Sequence, residues 1–159
     1  MGAGDQVPVA LEQMGYSVQL ISDAELRNGD FFRYDAIIAG IRSYNTREQL
    51  RISNKNILDY VEKGGTYIVQ YQTAIKGETD NIAPFKMELS RERITDENAT
   101  MNFIKADHPL LNYPNKISAK DFEGWVQERG LFLLHHGMRN LKLSFRVLIR
   151  MKKLNREVC

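Results

Sequence analysis

The residues of this chain best suited to recognising a ligand fall in two short groups, Arg42-x-Tyr44-Asn45 and Gln70-Tyr71-Gln72. Guanidinium and amide groups supply fixed hydrogen bonds, and phenol rings supply flat faces for stacking. That combination suits a carbohydrate or a small anion. It does not suit acyl transfer, because a phenol with a pKa of about 10 is a poor nucleophile at neutral pH. The lone cysteine, Cys159, is the last residue. A second reading of the same groups stays open: Tyr44 and Tyr71 cover a sheet end, and Arg42 pairs with a local acid. Phe122, Trp125, Glu128 and Arg129 form a further cluster. It reads either as a recognition edge or as a core-anchoring tryptophan beside a local Glu–Arg pair. His135 and His136 are adjacent, and no Asp or Glu near them in sequence completes a zinc set, so neither metal nor cofactor is expected. Gly2-Ala3-Gly4 before a helix has the outline of a phosphate-binding turn but lacks its third glycine. A tight strand-to-helix turn is the simpler account.

For the two polar groups to meet, the segments before them must be neighbouring parallel strands. Asp35 to Gly40 reads as a buried strand leading into the first group, and Gly64-Gly65-Thr66 through Tyr71 reads as another leading into the second. Ligands of open α/β sheets sit outside the C-terminal ends of such strands. Between them, Thr46 with Gln49 makes a capping-box pattern, and Leu50, Ile57, Leu58 and Val61 give one helix over 46–63 an apolar face. Upstream, Asp5 reads as the N-cap of a helix with Pro8 in its first turn and Gly15 after its end. Residues 16–21 alternate as a strand, and Ser22 with Glu25 caps a short helix ending near Gly29. Strand, helix, strand, helix, strand predicts βαβ crossovers and a parallel sheet. Beyond Thr73 periodicity fades; Thr100 to Ile104 reads as a strand, and Asp107 as the cap of a short turn.

At 159 residues, with 43% hydrophobic and 26% charged side chains, the composition is that of a soluble globular domain. No apolar run approaches the roughly 20 residues of a membrane span. The opening residues carry neither a basic nor an apolar leader region, so no signal peptide is expected in this chain. Charge divides the chain: residues 131–159 hold seven Lys/Arg against Glu157 alone, a net +6, leaving 15 basic and 19 acidic residues, about −4, over 1–130. The tail alternates apolar and basic residues from Leu141 to Met151. A cationic segment of this kind attracts nucleic acid or anionic lipid without specificity, so no specific nucleic-acid partner is expected.

Four blocks occur together: Gly2-Ala3-Gly4-Asp5-x-Val7-Pro8; Tyr34-Asp35-Ala36-Ile37-Ile38 with Arg42-x-Tyr44-Asn45-Thr46; Gly64-Gly65-Thr66 through Val69-Gln70-Tyr71; and Asp121 through Gly130 around Trp125. Over residues 1–130 the chain resembles the class I glutamine-amidotransferase-like domain that follows the deacetylase domain of large bacterial PIG-L-type proteins. The resemblance implies a three-layer, flavodoxin-like parallel sheet, incomplete here because its first and last strands are missing. It also implies a parent with a zinc-dependent N-acetylglucosaminide deacetylase domain as the natural partner. Where catalytic relatives carry a cysteine after the central strand this chain has Tyr71, so the expected role is a non-catalytic accessory one, packing on the deacetylase or binding its glycan. The alternative is a hydrolase or transferase acting on a small sugar or amide in the same cleft. Arg42, Tyr44, Asn45, Tyr71, Gln72, Trp125 and Glu128 are the expected ligand-binding residues. Asp107-His108-Pro109 superficially resembles the deacetylase zinc motif, but the order is wrong and Leu110 replaces the second acid. The break in resemblance after Gly130 implies a frameshifted or truncated reading of a longer gene, the alternative being a genuine lineage-specific tail; a poorly ordered or weakly packed tail is expected.

Overall fold

A computed structural model describes residues 4–75, 81–84, 88–89, 91, 93–94, 101–103, 105–124, 130–131, 134–136 and 149–151. The chain divides into two compact units, one of residues 1–90 with 134–136 and the other of 91–133 with 137–159.

The first unit is mixed helix and strand. Helices α1 (Val7–Gln13) and α2 (Asp23–Asn28) precede strand β1 (Ile37–Ala39); α3 (Ser43–Thr46), α4 (Glu48–Ile52) and α5 (Asn54–Glu62) lead to β2 (Tyr67–Val69). β1 and β2 pair in parallel, with Ile37 opposite Tyr67 and Ala39 opposite Val69. This is the βαβ connection the periodicity predicts, with helices between parallel strands. Ile37, Ala39 and Tyr67 are buried and Val69 half-buried, whereas Ile68 is 46% exposed. The second strand is therefore covered on one side, not on both as its composition suggests. The core joins Leu26, Phe31, Leu50, Ile57 and Tyr60 to that covered side.

Of the expected helix caps, the one at α2 holds. Ser22 and Glu25 form the reciprocal capping box, and α2 stops at Gly29 in the left-handed region. The helix expected over 46–63 is instead two, α4 and α5, with the short α3 before them. Arg47 is extended (φ −117°, ψ 102°) and separates α3 from α4, and Ser53 separates α4 from α5. The Thr46–Gln49 capping box does not form. Thr46 Oγ1 donates to the Arg42 carbonyl at 3.0 Å, and Gln49 Nε2 donates to Ser53 Oγ at 2.7 Å. The expected strand at 16–21 is also corrected: these residues carry no ladder among the described residues, and Tyr16 and Leu20 are more than half exposed. Alternation alone does not make a strand where no neighbour pairs with it.

Two glycines at the start of β2 have separate roles. Gly64 adopts φ 97°, while a Cβ on Gly65 would stand 2.3 Å from the Tyr60 ring. That ring packs edge-on to Phe31 at 6.0 Å and against Phe32 at 5.2 Å.

β3 (Glu88–Leu89) pairs antiparallel with β7 (Leu134–His136) in the first unit. In the second unit β4 (Arg93–Ile94) pairs with β6 (Gly130–Leu131), and β5 (Met101–Phe103) with β8 (Ile149–Met151), both antiparallel. Phe103 packs on Phe122, which closes a 3-10 turn over Ala119–Phe122. The short helix α6 (Pro109–Asn112) is capped by His108, whose Nδ1 accepts from Leu110 N–H at 3.2 Å, and not by Asp107 as expected. Three segments of the basic tail thus join strand pairs; the rest of the alternating stretch, 141–148, lies outside the described residues.

Candidate functional site at the strand exits

Because β1 and β2 run parallel and adjacent, their C-terminal ends deliver residues 40–46 and 70–75 to the same edge. Hydrogen bonds lock the two exits together. Arg42 N–H donates to the Tyr71 carbonyl at 2.8 Å, and Tyr44 N–H donates to Gln72 Oε1 at 3.0 Å. Asn45 and Thr73 bond reciprocally: Asn45 Nδ2 donates to the Thr73 carbonyl at 3.1 Å, and Thr73 N–H donates to Asn45 Oδ1 at 2.9 Å. Gln72 Nε2 also donates to the carbonyls of Gly40 and Gln70. One buried amide therefore satisfies groups from both loops, which explains why Gln72 is only 5% exposed.

Beneath this frame lies a chain of buried hydroxyls. Tyr44 OH donates to Asn54 Oδ1 at 2.7 Å, so the Tyr67 hydroxyl, 2.8 Å away, donates to Tyr44. Burial pushes the Tyr44 phenol up to about 12 and raises that of Tyr67 as well, the neighbouring Tyr44 adding to the shift. Both phenols are thus held neutral, and neither serves as a nucleophile at ordinary pH.

A third element reaches the edge. Asp5 does not cap α1, whose N-cap residue is Gln6. Its Oδ2 instead accepts from Ile41 N–H at 3.1 Å, just past the end of β1. Gly2 and Ala3 of the expected glycine turn lie outside the described residues. Nothing in the sequence distinguishes an aspartate that reaches 36 residues ahead from one that caps the next helix.

The expected site residues separate into two kinds. Arg42 and Tyr71 are exposed, with Tyr71 at 40%. Tyr44 and Gln72 are buried, and Asn45 is half-buried, all three bonded into the frame. Trp125 and Glu128 lie outside the described residues. No family model, curated protein or solved structure matches the chain.

The edge also holds unpartnered atoms, one on Gln70 and two on residues that the sequence did not single out, Ser43 and Thr73. Ser43 Oγ, Gln70 Oε1 and Thr73 Oγ1 are buried without a hydrogen-bond partner among the described residues. All three lie in the two exit loops. Neither 40–46 nor 70–75 contains a Cys, His, Asp, Glu or Lys. Among the described residues no group of three His, Cys, Asp or Glu could hold a metal ion, and no helix is long and apolar enough to cross a membrane.

Proposed function

We propose that this chain is a non-catalytic, amidotransferase-like accessory domain of a carbohydrate-active deacetylase of the PIG-L type, and that its strand-exit edge binds glycan. In this reading the β1–β2 pair belongs to a flavodoxin-like sheet. The observation that carries the proposal is the cross-locked pair of exits. The Asn45–Thr73 and Tyr44–Gln72 bonds hold together the two loops that carry Arg42 and Tyr71, and no activated nucleophile or general base lies in either loop. Preorganised donors beside an aromatic face suit a sugar ring. Tyr44, Asn45 and Gln72 act as the frame, and Arg42 and Tyr71 meet the ligand.

The test takes the full chain through glutaminase and esterase assays and through calorimetric titration with an N-acetylglucosamine oligosaccharide. The proposal expects no turnover, and sugar binding weakened about tenfold by Tyr71→Ala, the loss of one stacking face. Turnover that disappears in Tyr71→Phe would assign the edge to a hydrolase or transferase instead.

A further inference from the structure

We infer that the strand-exit edge selects an anionic sugar, one carrying a phosphate or a carboxylate, and that Arg42 is the residue that reads the charge. The inference rests on the recognition role proposed above and adds the class of ligand.

The first observation concerns the backbone. Five glycines among the described residues take positive φ: Gly4, Gly15, Gly29, Gly64 and Gly124. Glycine does so without steric cost. Arg42, at φ 55° and ψ 22°, is the sole described residue that keeps a side chain in this region. A Cβ there costs roughly 1–2 kcal/mol, and glycine would remove that cost. A long charged side chain held at a strained position is explained when the side chain itself is used. The backbone of Arg42 is fixed on both sides: its N–H is held by Tyr71, and its carbonyl accepts from the N–H groups of Asn45 and Thr46 and from Thr46 Oγ1. The guanidinium that this fixed root carries is exposed, and among the described residues it has no hydrogen-bond or ion-pair partner. Guanidinium forks match phosphate and carboxylate oxygens in pairs. The two loops contribute no competing carboxylate, and the one bonded into the edge, Asp5, is engaged by Ile41 N–H.

The second observation is independent. The buried unpartnered atoms, Ser43 Oγ, Gln70 Oε1 and Thr73 Oγ1, all belong to the loops that carry Arg42 and Tyr71. Ser43 is only 2% exposed. An unsatisfied buried polar atom costs roughly 1–3 kcal/mol, so three of them in the loops that carry Arg42 and Tyr71 mark an edge that gives up stability. Two hydroxyls and an amide oxygen suit a partner rich in both donors and acceptors. Sugar hydroxyls are both. A bare phosphate offers Arg42 acceptors but few donors to the edge, whereas a neutral sugar offers Arg42 no anionic partner.

The experiment titrates the full chain with glucose 6-phosphate and with glucuronate, against glucose and inorganic phosphate, and melts each variant in parallel. Either anionic sugar is expected to bind at least about tenfold more tightly than glucose or free phosphate. Which of the two binds more tightly tells phosphate from carboxylate. Arg42→Gly is expected to abolish the preference over glucose while the melting temperature stays level or rises. Arg42→Lys keeps the charge, loses the fork and retains part of the preference. Ser43→Ala and Thr73→Val are expected to raise the melting temperature and to weaken the sugar phosphate more than free phosphate. A preference that survives Arg42→Gly, or a melting temperature that falls by several degrees in that variant, would overturn the role given to Arg42. Sugar-phosphate binding unchanged in both hydroxyl variants would overturn the role given to the unpartnered atoms. Equal binding of glucose and its phosphate would overturn the charge selection and leave sugar recognition standing. Absence of binding by every sugar would overturn both.

Discussion

The two ends of the β1–β2 pair are built to different purposes. At the entry end, Ile37 N–H bonds the Thr66 carbonyl at 2.9 Å, and Tyr60 OH reaches the Tyr34 carbonyl at 3.2 Å. The left-handed position there is Gly64, and Gly65 lies against an aromatic ring that is 3% exposed. Every local choice favours stability. At the exit end the left-handed position is an arginine, and three buried polar atoms go without a partner among the described residues. Strain and unmet hydrogen bonds concentrate where binding or catalysis requires them. One end of the same strand pair gives up stability that the other end keeps, and the proposed ligand edge rests on that contrast.

Breaking the entry end should cost the most. In Gly65→Ala the new Cβ would meet Tyr60 ring atoms at 2.3 Å, and that ring is held by Phe31, Phe32 and its bond to Tyr34. We expect a loss of about 3 kcal/mol in denaturant unfolding, typical of overpacking a rigid core. At the exit, Gln72→Ala strands the buried Tyr44 N–H and removes the bonds to Gly40 and Gln70. A loss of about 2 kcal/mol follows from one orphaned donor and its lost partners. A change no larger than about 0.5 kcal/mol, the level of an ordinary surface substitution, would show that the exits are not locked as described.

Alkali sharpens the comparison from beneath the exit frame. The Tyr44 phenol is raised to about 12 in the folded chain from an ordinary value of 10.0. The folded state therefore holds its proton where the unfolded state releases it. The contribution is complete below pH 10 and is lost as pH rises from 10 through about 12, a change of order 2 kcal/mol. Unfolding measured across that window is expected to show a shallower slope in Tyr44→Phe than in the parent chain. An identical slope would place the titrating groups elsewhere.

What the sequence revealed follows the range of the forces involved. The βαβ connection was legible because hydrophobic runs and glycines are local signals, and the parallel pairing then brought Arg42 and Tyr71 to one edge. Leu50 and Ile57 were correctly placed in the core, yet the breaks at Arg47 and Ser53 were not legible, since one extended residue leaves no periodic trace. Tyr44 and Gln72 were marked as ligand residues by their chemistry. Their burial depends on partners 28 residues away, which composition does not encode. The Asp5 carboxylate was hidden for the same reason. Strand pairs such as Met101–Phe103 with Ile149–Met151 join short segments across a long separation, so the partner of each was beyond reach of pattern alone.

The two ends differ most in what is proposed of them: the exit edge recognises a ligand and the entry edge does not. Amide chemical shifts of the nitrogen-15-labelled full chain, titrated with glucose 6-phosphate to about 10 mM, test it directly, because that range registers even millimolar complexes. Saturable shifts are expected for residues 41–46 and 70–73, with the amides of 64–66 unmoved. Shifts as large at 64–66 as at 41–46, or none at the exit amides, would contradict it.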